Sequence, residues 1–372
     1  MPYSEVTPQE FLSLGFFSEQ LNDEAWCVRW DRAGPSTRAE LADSLLSEVD
    51  FHTSGSTGES RTWLRSRTQL LEEAALLGEL VRPSRPEAVL TFAPPRHVYG
   101  ALASVLMPAR LGLPAWYRPK YFGSMPGHQA RRWAVVAVPW TFSILERQTE
   151  WVGSTEHIAA LHSTAMLPPT ADRFAQALGP GRMGITEVFG STETGGVAWR
   201  RHDDEEGMWR LFDDVTLAVD GPAGDTQTPL VVRSPRLAKS PDGTPLDSWC
   251  TDDYVVPVGD RRFRFTGRRG RLVKVNGRRV NLDTLERRVE PVVKCRDLMC
   301  QPVRHAISGE HIDLLIVPFS PGEPSEEQVR AALAADLPEF RPHRVRFVES
   351  IERSETGKVR LVQPGSGHYG EG

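Results

Sequence analysis

The sequence predicts a large layered α/β domain at the N-terminus, carrying a small β-rich subdomain, followed by a small α+β C-terminal domain. Three observations predict it. Short continuous apolar runs at 88–92, 134–138 and 158–161 alternate with amphipathic helical patterns, as strands buried on both faces of a largely parallel sheet do. From 215 to 258 the pattern changes to short strands broken by Gly, Pro and Asp turns, an antiparallel or barrel-like arrangement. Beyond Arg269-Gly270 about 100 residues alternate strand and helix patterns, a common size for one domain. The expected division is therefore 1–269 and 270–372, with the β-rich part at about 205–265.

Composition bounds the function classes. With 372 residues, 40% hydrophobic and 25% charged, the chain is an ordinary globular protein. Its 44 basic and 49 acidic residues give a net charge of −5, too mild to imply nucleic acid or membrane as a partner. No apolar run approaches the roughly 20 residues of a spanning helix. The N-terminal stretch carries Glu5, Glu10 and Glu19 and no basic leader, so no secretory signal is expected and the expected location is cytoplasmic. The four cysteines form no CxxC pair and no histidine stands at zinc-ligand spacing, which predicts reduced thiols and no metal cluster.

Taken in order, residues 1–50 are mixed, with 40–46 helical. Ser66-Arg67-Thr68-Gln69 fits a capping box, and Leu70, Leu71, Ala74, Ala75 and Leu77 follow at helical spacing. The run 88–92 ends at Pro94-Pro95 as a buried strand; 101–113 is helical, with Pro108 ending or kinking it. Residues 185–189 form a strand that runs into Gly190-Ser191-Thr192-Glu193-Thr194-Gly195-Gly196. In the C-terminal part, 271–275, 312–317 and 344–348 read as strands. Leu282, Leu285 and Val289 fit one helix, and Ser325-Glu326-Glu327-Gln328 caps another.

Chemistry concentrates first in Thr53-Ser54-Gly55-Ser56-Thr57-Gly58. Two glycines free the backbone to turn and expose successive N–H groups, and four hydroxyls add donors, an arrangement able to wrap a phosphate. A Ser/Gly/Thr surface turn has the same composition. A Walker A loop requires lysine after its last glycine, and Glu59 stands there, so a cation for a bound nucleotide must come from elsewhere.

Six stretches in one order make the chain resemble the ANL superfamily of adenylate-forming enzymes. Residues 53–58 with Glu59-Ser60-Arg61 resemble its phosphate loop TSGSTG-x-P-K, with Ser for Pro and Arg for Lys. Pro95-Arg96-His97-Val98-Tyr99-Gly100 is similar to its aromatic-or-His-x-x-Gly motif at the acyl pocket. Phe189-Gly190-Ser191-Thr192-Glu193 resembles Y-G-x-T-E, and Thr251-Asp252-Asp253 resembles T-G-D with Asp252 in place of glycine. Residues 267–280 resemble the hinge and following strand, with Gly270 at the pivot where Asp or Lys is usual. Thr356-Gly357-Lys358-Val359-Arg360 resembles the family's terminal T-x-x-G-K-x-x-R.

The resemblance implies the following roles. The nucleotide site takes Thr53, Ser54, Gly55, Ser56, Thr57 and Gly58, with Phe189 stacking on adenine beside Gly190 and Ser191. Thr192 contacts the α-phosphate, Glu193 holds Mg²⁺, and Asp253 and Arg268 hold ribose. The acyl pocket is lined by Phe92, His97, Tyr99, Trp140, Thr164, Ala165 and Gly195, with Ser163, Met166 and Thr194 beside them. Lys358, Thr192, Glu193 and His97 form the catalytic set, His97 gating the pocket floor. Arg269 and Gly270 form the hinge of a mobile C-terminal domain, and Lys274 and Gly277 line a thiol tunnel.

The implied reaction is ATP-dependent activation of a carboxylic acid, then transfer to the pantetheine thiol of CoA or an acyl carrier protein. ATP and Mg²⁺ are the cofactors, and the pocket's flat walls lean towards an aryl or short acyl acid. No nucleic acid and no membrane span are expected. Only about 50 residues precede the phosphate loop, fewer than in typical members, so the pocket is expected to be more open or completed by another subunit. Residues 261–279 hold nine Arg or Lys and no acid, which suits ATP, CoA phosphates or an acidic carrier face. A non-catalytic nucleotide-binding regulatory module of the same fold is the alternative; retention of Glu193 and Lys358 argues against it.

Overall fold

The structure, a computed structural model, describes residues 3–352 except 55–59, 122, 164–165, 205, 219–226, 241, 276–277, 306–308 and 321. The chain divides into a larger unit (1–226, 230–251 and 257–264) and a smaller one (227–229, 252–256 and 265–372).

The larger unit is built on β1 (Ser4–Val6), β2 (Trp26–Val28), β5 (Ala88–Thr91), β6 (Ala115–Tyr117), β7 (Arg132–Ala137), β8 (His157–His162), β9 (Met183–Ser191), β10 (Gly195–Arg201) and β11 (Trp209–Leu211). They stand side by side in the order β1-β2-β6-β5-β7-β8-β9-β10-β11. Pairing is parallel from β6 through β5, β7 and β8 to β9. It turns antiparallel at the β9–β10 hairpin and at β11. The apolar runs that predict buried strands are β5, β7 and β8, each buried almost throughout. A separate hairpin of β3 (Glu48–Ser54) and β4 (Ser60–Ser66) pairs in register from Glu48↔Ser66 to Ser54↔Ser60 and so brackets residues 55–59.

The helix Arg67–Val81 begins where the capping box requires. Ser66 Oγ accepts the Gln69 N–H and the Gln69 side chain accepts the Ser66 N–H, so two orphan donors of the first turn are satisfied reciprocally. Leu70, Ala74, Leu77 and Val81 form its buried face, and it packs against the helix of residues 98–111. That second helix does not end at Pro108. Residues 101–106 wind with π-type spacing, Met107 N–H reaching back to Leu102 O, and Pro108 then stands in the first turn of Met107–Leu111. The wider turn accommodates the donor that proline lacks. Gly112, left-handed at φ 65°, ends the helix instead. Near the N-terminus the helix spans Pro35–Ser44 rather than 40–46.

In the smaller unit, Leu272–Val275 pairs with Arg278–Asn281. A three-stranded sheet sets the edge strand Asp297–His305 against Gly309–Val317, which pairs in parallel with Val345–Phe347. The first of these three has no counterpart among the sequence-predicted strands. Its Pro302 removes a ladder donor, which an edge strand tolerates. Helices Leu282–Val289 and Glu326–Asp336 close the core, the second under the predicted Ser325/Gln328 capping box.

Candidate functional site

Strand order reverses at the boundary between β5 and β7. The chain leaves β5 for β6 on one side, while β7, β8 and β9 follow one another on the other. Right-handed crossovers running in opposite directions leave a crevice outside the carboxyl ends of the strands at that point, the usual place for a ligand in an open α/β sheet. Phe92, just past β5, and Trp140, just past β7, meet there edge to face at 5.4 Å. His97 stands half-buried at the start of the next helix, its N–H on Pro94 O at 3.1 Å. Tyr99 is buried and donates its hydroxyl to Leu161 O at 2.6 Å, and burial raises its pKa strongly, so it is a fixed wall rather than a proton carrier. Gly100 is required by close approach, since a Cβ there would lie 1.8 Å from Pro94 O.

Past β8, Ser163 Oγ donates to Val188 O at 3.1 Å and Met166 is half-buried. Thr164 and Ala165 lie outside the described residues. Past β9 comes the turn into β10. Phe189 is half-buried, edge-on to Trp209 at 5.3 Å and Phe263 at 5.7 Å. At Gly190 a Cβ would meet Gly195 O at 2.3 Å. Ser191 and Thr194 bond reciprocally, Ser191 N–H to Thr194 Oγ1 at 3.1 Å and Thr194 N–H to Ser191 Oγ at 3.3 Å. Their side chains thus tighten the turn, while Thr192 and Glu193 between them are half-exposed. Among the described residues no ion pair or hydrogen bond engages the Glu193 carboxylate, whereas its backbone O accepts Ala238 N–H at 2.8 Å. Thr53 and Ser54 end β3, with backbones in register with Arg61 and Ser60; their side chains and Gly55, Ser56, Thr57 and Gly58 lie outside the described residues.

Beneath the turn lies a cluster that sequence reasoning missed. Arg65 on β4, Glu73 on the helix Arg67–Val81, and Arg236 are all buried, the two arginines completely. Arg65 Nη2 meets Glu73 Oε2 at 2.6 Å, and Arg236 Nη1 approaches the same oxygen at 3.4 Å. Arg236 also grips Asp214 through Nε at 2.6 Å and Nη2 at 2.9 Å. Burial alone would raise the Glu73 carboxyl, but Arg65 and Arg236 hold it below the usual value. One signal was present in the sequence: Glu73 interrupts the apolar face Leu70, Ala74, Leu77, Val81. Gly195 faces this cluster, since a Cβ there would lie 2.5 Å from Glu73 Oε2.

A second buried polar group sits at the same strand ends. His162 closes β8 in register with Glu187 of β9, which pairs with Arg200 of β10 at 2.8 Å. Burial pushes the imidazole pKa down to about 4, Glu187 pulling it up and Arg200 down. Among the described residues no group of three or more His, Cys, Asp or Glu is arranged to hold a metal.

In the smaller unit, Arg268 Nε meets Asp253 Oδ1 at 3.1 Å, so the two residues expected at the ribose come together. Thr251, Asp252 and Asp253 lie within the strand Trp249–Val258, not at a turn. Arg269 and Gly270 form an exposed 3₁₀ turn with Arg271. Gly267, at φ 142°, is confined by Asn281 and Leu272. Lys274 is placed only by its backbone, opposite Arg279; Gly277 and Lys358 lie outside the described residues. The basic run 261–279 is partly neutralised, because Arg261, Arg262, Arg268 and Arg271 pair with Asp213, Glu206, Asp253 and Asp283.

No protein-family model matches the chain. It is 28% identical over 318 residues to a 4-coumarate–CoA ligase of Cereibacter sphaeroides, across 83% of this chain and 69% of that one. A 4-coumarate–CoA ligase of Rhodobacter capsulatus is 25% identical over 331 residues, across 86% and 76%. Among solved structures, ATP-bound MatB from Rhodopseudomonas palustris shares the fold with a TM-score of 0.66 at 21% identity, covering 84% of this chain and 66% of MatB. The chain thus spans about two thirds of the length of MatB and of the first of these ligases. No described helix is long and apolar enough to cross a membrane.

Proposed function

Because the chain belongs to the ANL superfamily of adenylate-forming enzymes, we propose that it activates a carboxylic acid with ATP, releasing pyrophosphate, and passes the acyl group to a pantetheine thiol. One observation carries this reading: the hairpin bracketing residues 55–59 is tied to the turn bearing Thr192 and Glu193. Arg65 of β4 donates to Thr192 O at 3.3 Å and pairs with Glu73, which accepts Gly196 N–H at 2.7 Å. Strand β4 of that hairpin and the Thr192–Glu193 turn are thereby held together next to the carboxyl end of β9.

The acid's carboxylate oxygen bonds to the α-phosphorus of ATP as the bond to the pyrophosphate oxygen breaks. Backbone N–H groups of residues 53–58 and the Thr192 hydroxyl stabilise the charge on the phosphates. Glu193, a hard oxygen donor whose carboxylate has no partner among the described residues, would hold Mg²⁺, which would supply charge neutralisation to the phosphates. Lys358 bridges the carboxylate and the α-phosphate. The small domain then turns about Arg269-Gly270 and withdraws Lys358. The thiol, entering past Lys274 and Gly277, attacks the acyl carbonyl and releases AMP. Phe92, Tyr99 and Trp140 form flat walls that favour an aryl or short acyl acid, and Asp253 with Arg268 binds ribose.

Exchange of labelled pyrophosphate into ATP across a panel of acids tests the reading. Exchange dependent on benzoate-type or short acyl acids is expected, and CoA or a carrier protein added afterwards identifies the acceptor. Nucleotide binding without exchange for any acid refutes the enzyme and leaves the regulatory module.

A further inference from the structure

Four backbone groups of the turn from Thr192 to Gly196 are held from outside the β9–β10 hairpin. Arg65 Nη1 donates to Thr192 O at 3.3 Å, and Ala238 N–H to Glu193 O at 2.8 Å. Glu73 Oε1 accepts Gly196 N–H at 2.7 Å, and Arg236 Nη2 donates to Gly196 O at 2.7 Å. Three of these four holders are the buried charges Arg65, Glu73 and Arg236. They converge on Gly195 so closely that a Cβ would lie 2.5 Å from Glu73 Oε2, 3.0 Å from Arg65 Nη2 and 3.1 Å from Arg236 Nη1. Gly195 itself is left-handed at φ 66°.

We propose that Arg65, Glu73 and Arg236 are positioning residues that set the height and angle of the Thr192–Glu193 turn over the carboxyl ends of β8 and β9. This rests on the function proposed above. A buried charge network holds stability no better than an apolar core of the same volume. Its distinctive property is directional: each guanidinium and carboxylate fixes a particular backbone atom in angle as well as distance.

The elements that supply the clamp are independently anchored. The residues beside Arg236 are tied to the start of the helix that carries Glu73, because Gln69 Nε2 donates to Pro235 O at 2.9 Å and Leu237 O at 2.8 Å. β4 is tied to the same segment, Lys239 N–H donating to Leu64 O at 2.9 Å. Asp214 restrains the far edge of Arg236. The turn is therefore located by a frame that includes β4, so a shift of that strand is carried to the turn. A misplacement of about 1 Å at such a site is enough to cost ~100-fold in rate.

The test compares wild type with Arg65→Met, Glu73→Ala and Glu73→Gln, using Leu77→Ala on the same helix as a control for simple loss of packing. Two measurements are made well below each variant's melting temperature: hydrogen exchange of the peptide covering 188–198, and acid-dependent pyrophosphate exchange at varied ATP and Mg²⁺. Glu73→Ala and Arg65→Met are expected to speed amide exchange in 192–196 at least 10-fold while β7 and β8 stay protected. They are also expected to lower kcat about 100-fold, with the KM for ATP changed less than about 5-fold, and to raise the Mg²⁺ concentration for half-maximal rate. Glu73→Gln, which keeps an acceptor for Gly196 N–H, should recover about a tenth or more of the wild-type kcat. Leu77→Ala should lower the melting temperature without these changes.

The proposal is overturned if the 192–196 amides keep wild-type protection in Glu73→Ala. It is equally overturned if Leu77→Ala reproduces the kcat loss at a matched melting temperature. If wild type shows no pyrophosphate exchange, the enzymatic reading fails, whereas the amide measurement still decides whether the clamp holds the turn.

Discussion

His162→Phe should remove an acid sensitivity from the larger unit. His162 is 1% exposed at the end of β8, and its Nε2 is buried with no hydrogen-bond partner among the described residues. The Phe142 ring lies 6.1 Å from the imidazole, and the neighbouring charges are Glu187 and Arg200. Burial moves the pKa from 6.5 to about 4. A folded-state pKa below the unfolded one means that the neutral imidazole's contribution is complete above pH 6.5 and is lost as pH falls towards 4. With those two values, linkage gives a loss of about 2 kcal/mol between pH 7 and pH 5, rising to about 3 kcal/mol near pH 4. Urea unfolding followed by tryptophan fluorescence measures it, because all ten tryptophans fall in the larger unit. The difference in unfolding free energy between pH 7 and pH 5 should be about 2 kcal/mol smaller in His162→Phe than in wild type. Equal pH dependence in the two proteins would refute the buried neutral histidine.

Three further outcomes follow from particular contacts. Gly100→Ala drives a Cβ to 1.8 Å from the backbone oxygen of Pro94. It should exceed the usual ~1–3 kcal/mol of overpacking and lower the melting midpoint by about 6 °C or more; an unchanged midpoint would mean that the Pro94 loop yields freely. Tyr99→Phe removes the buried bond to Leu161 O and should cost about 1 kcal/mol in urea unfolding; a stabilised variant would contradict it. Glu73→Gln should flatten the acid limb of stability. The lowered Glu73 pKa places a stabilising contribution above pH 4.5 that is lost as pH falls below it, and only wild type should show that loss.

Local signals in the sequence carried much of the fold. Both predicted capping boxes, at Ser66/Gln69 and Ser325/Gln328, form as read because their partners are three residues apart. The apolar runs became β5, β7 and β8 because only strands covered on both faces are uniformly apolar. Phe92, Trp140, Ser163 and Phe189 were named from a resemblance, and the topology gives a reason for them: the first three follow the carboxyl ends of β5, β7 and β8, and Phe189 stands in the last turn-side residues of β9. What was not legible is long-range. Glu73 reaches Gly196 across 123 positions and Arg65 reaches Thr192 across 127, and no periodicity encodes such a pairing. Whether the helix ends or continues at Pro108 stayed open for another reason, since the π-type spacing in 101–106 that accommodates the proline has no simple sequence pattern.

The turn over the strand ends acts, in this account, on an acyl adenylate, and the fate of one oxygen tests that directly. An acid labelled with ¹⁸O at both carboxylate positions is converted with ATP and a thiol acceptor, and the products are weighed by mass spectrometry. Attack of the carboxylate on the α-phosphorus followed by thiolysis predicts one ¹⁸O in AMP and none in pyrophosphate. Label appearing in inorganic phosphate, with ADP formed in place of AMP, would contradict the adenylate and with it the roles given to Thr192 and Glu193.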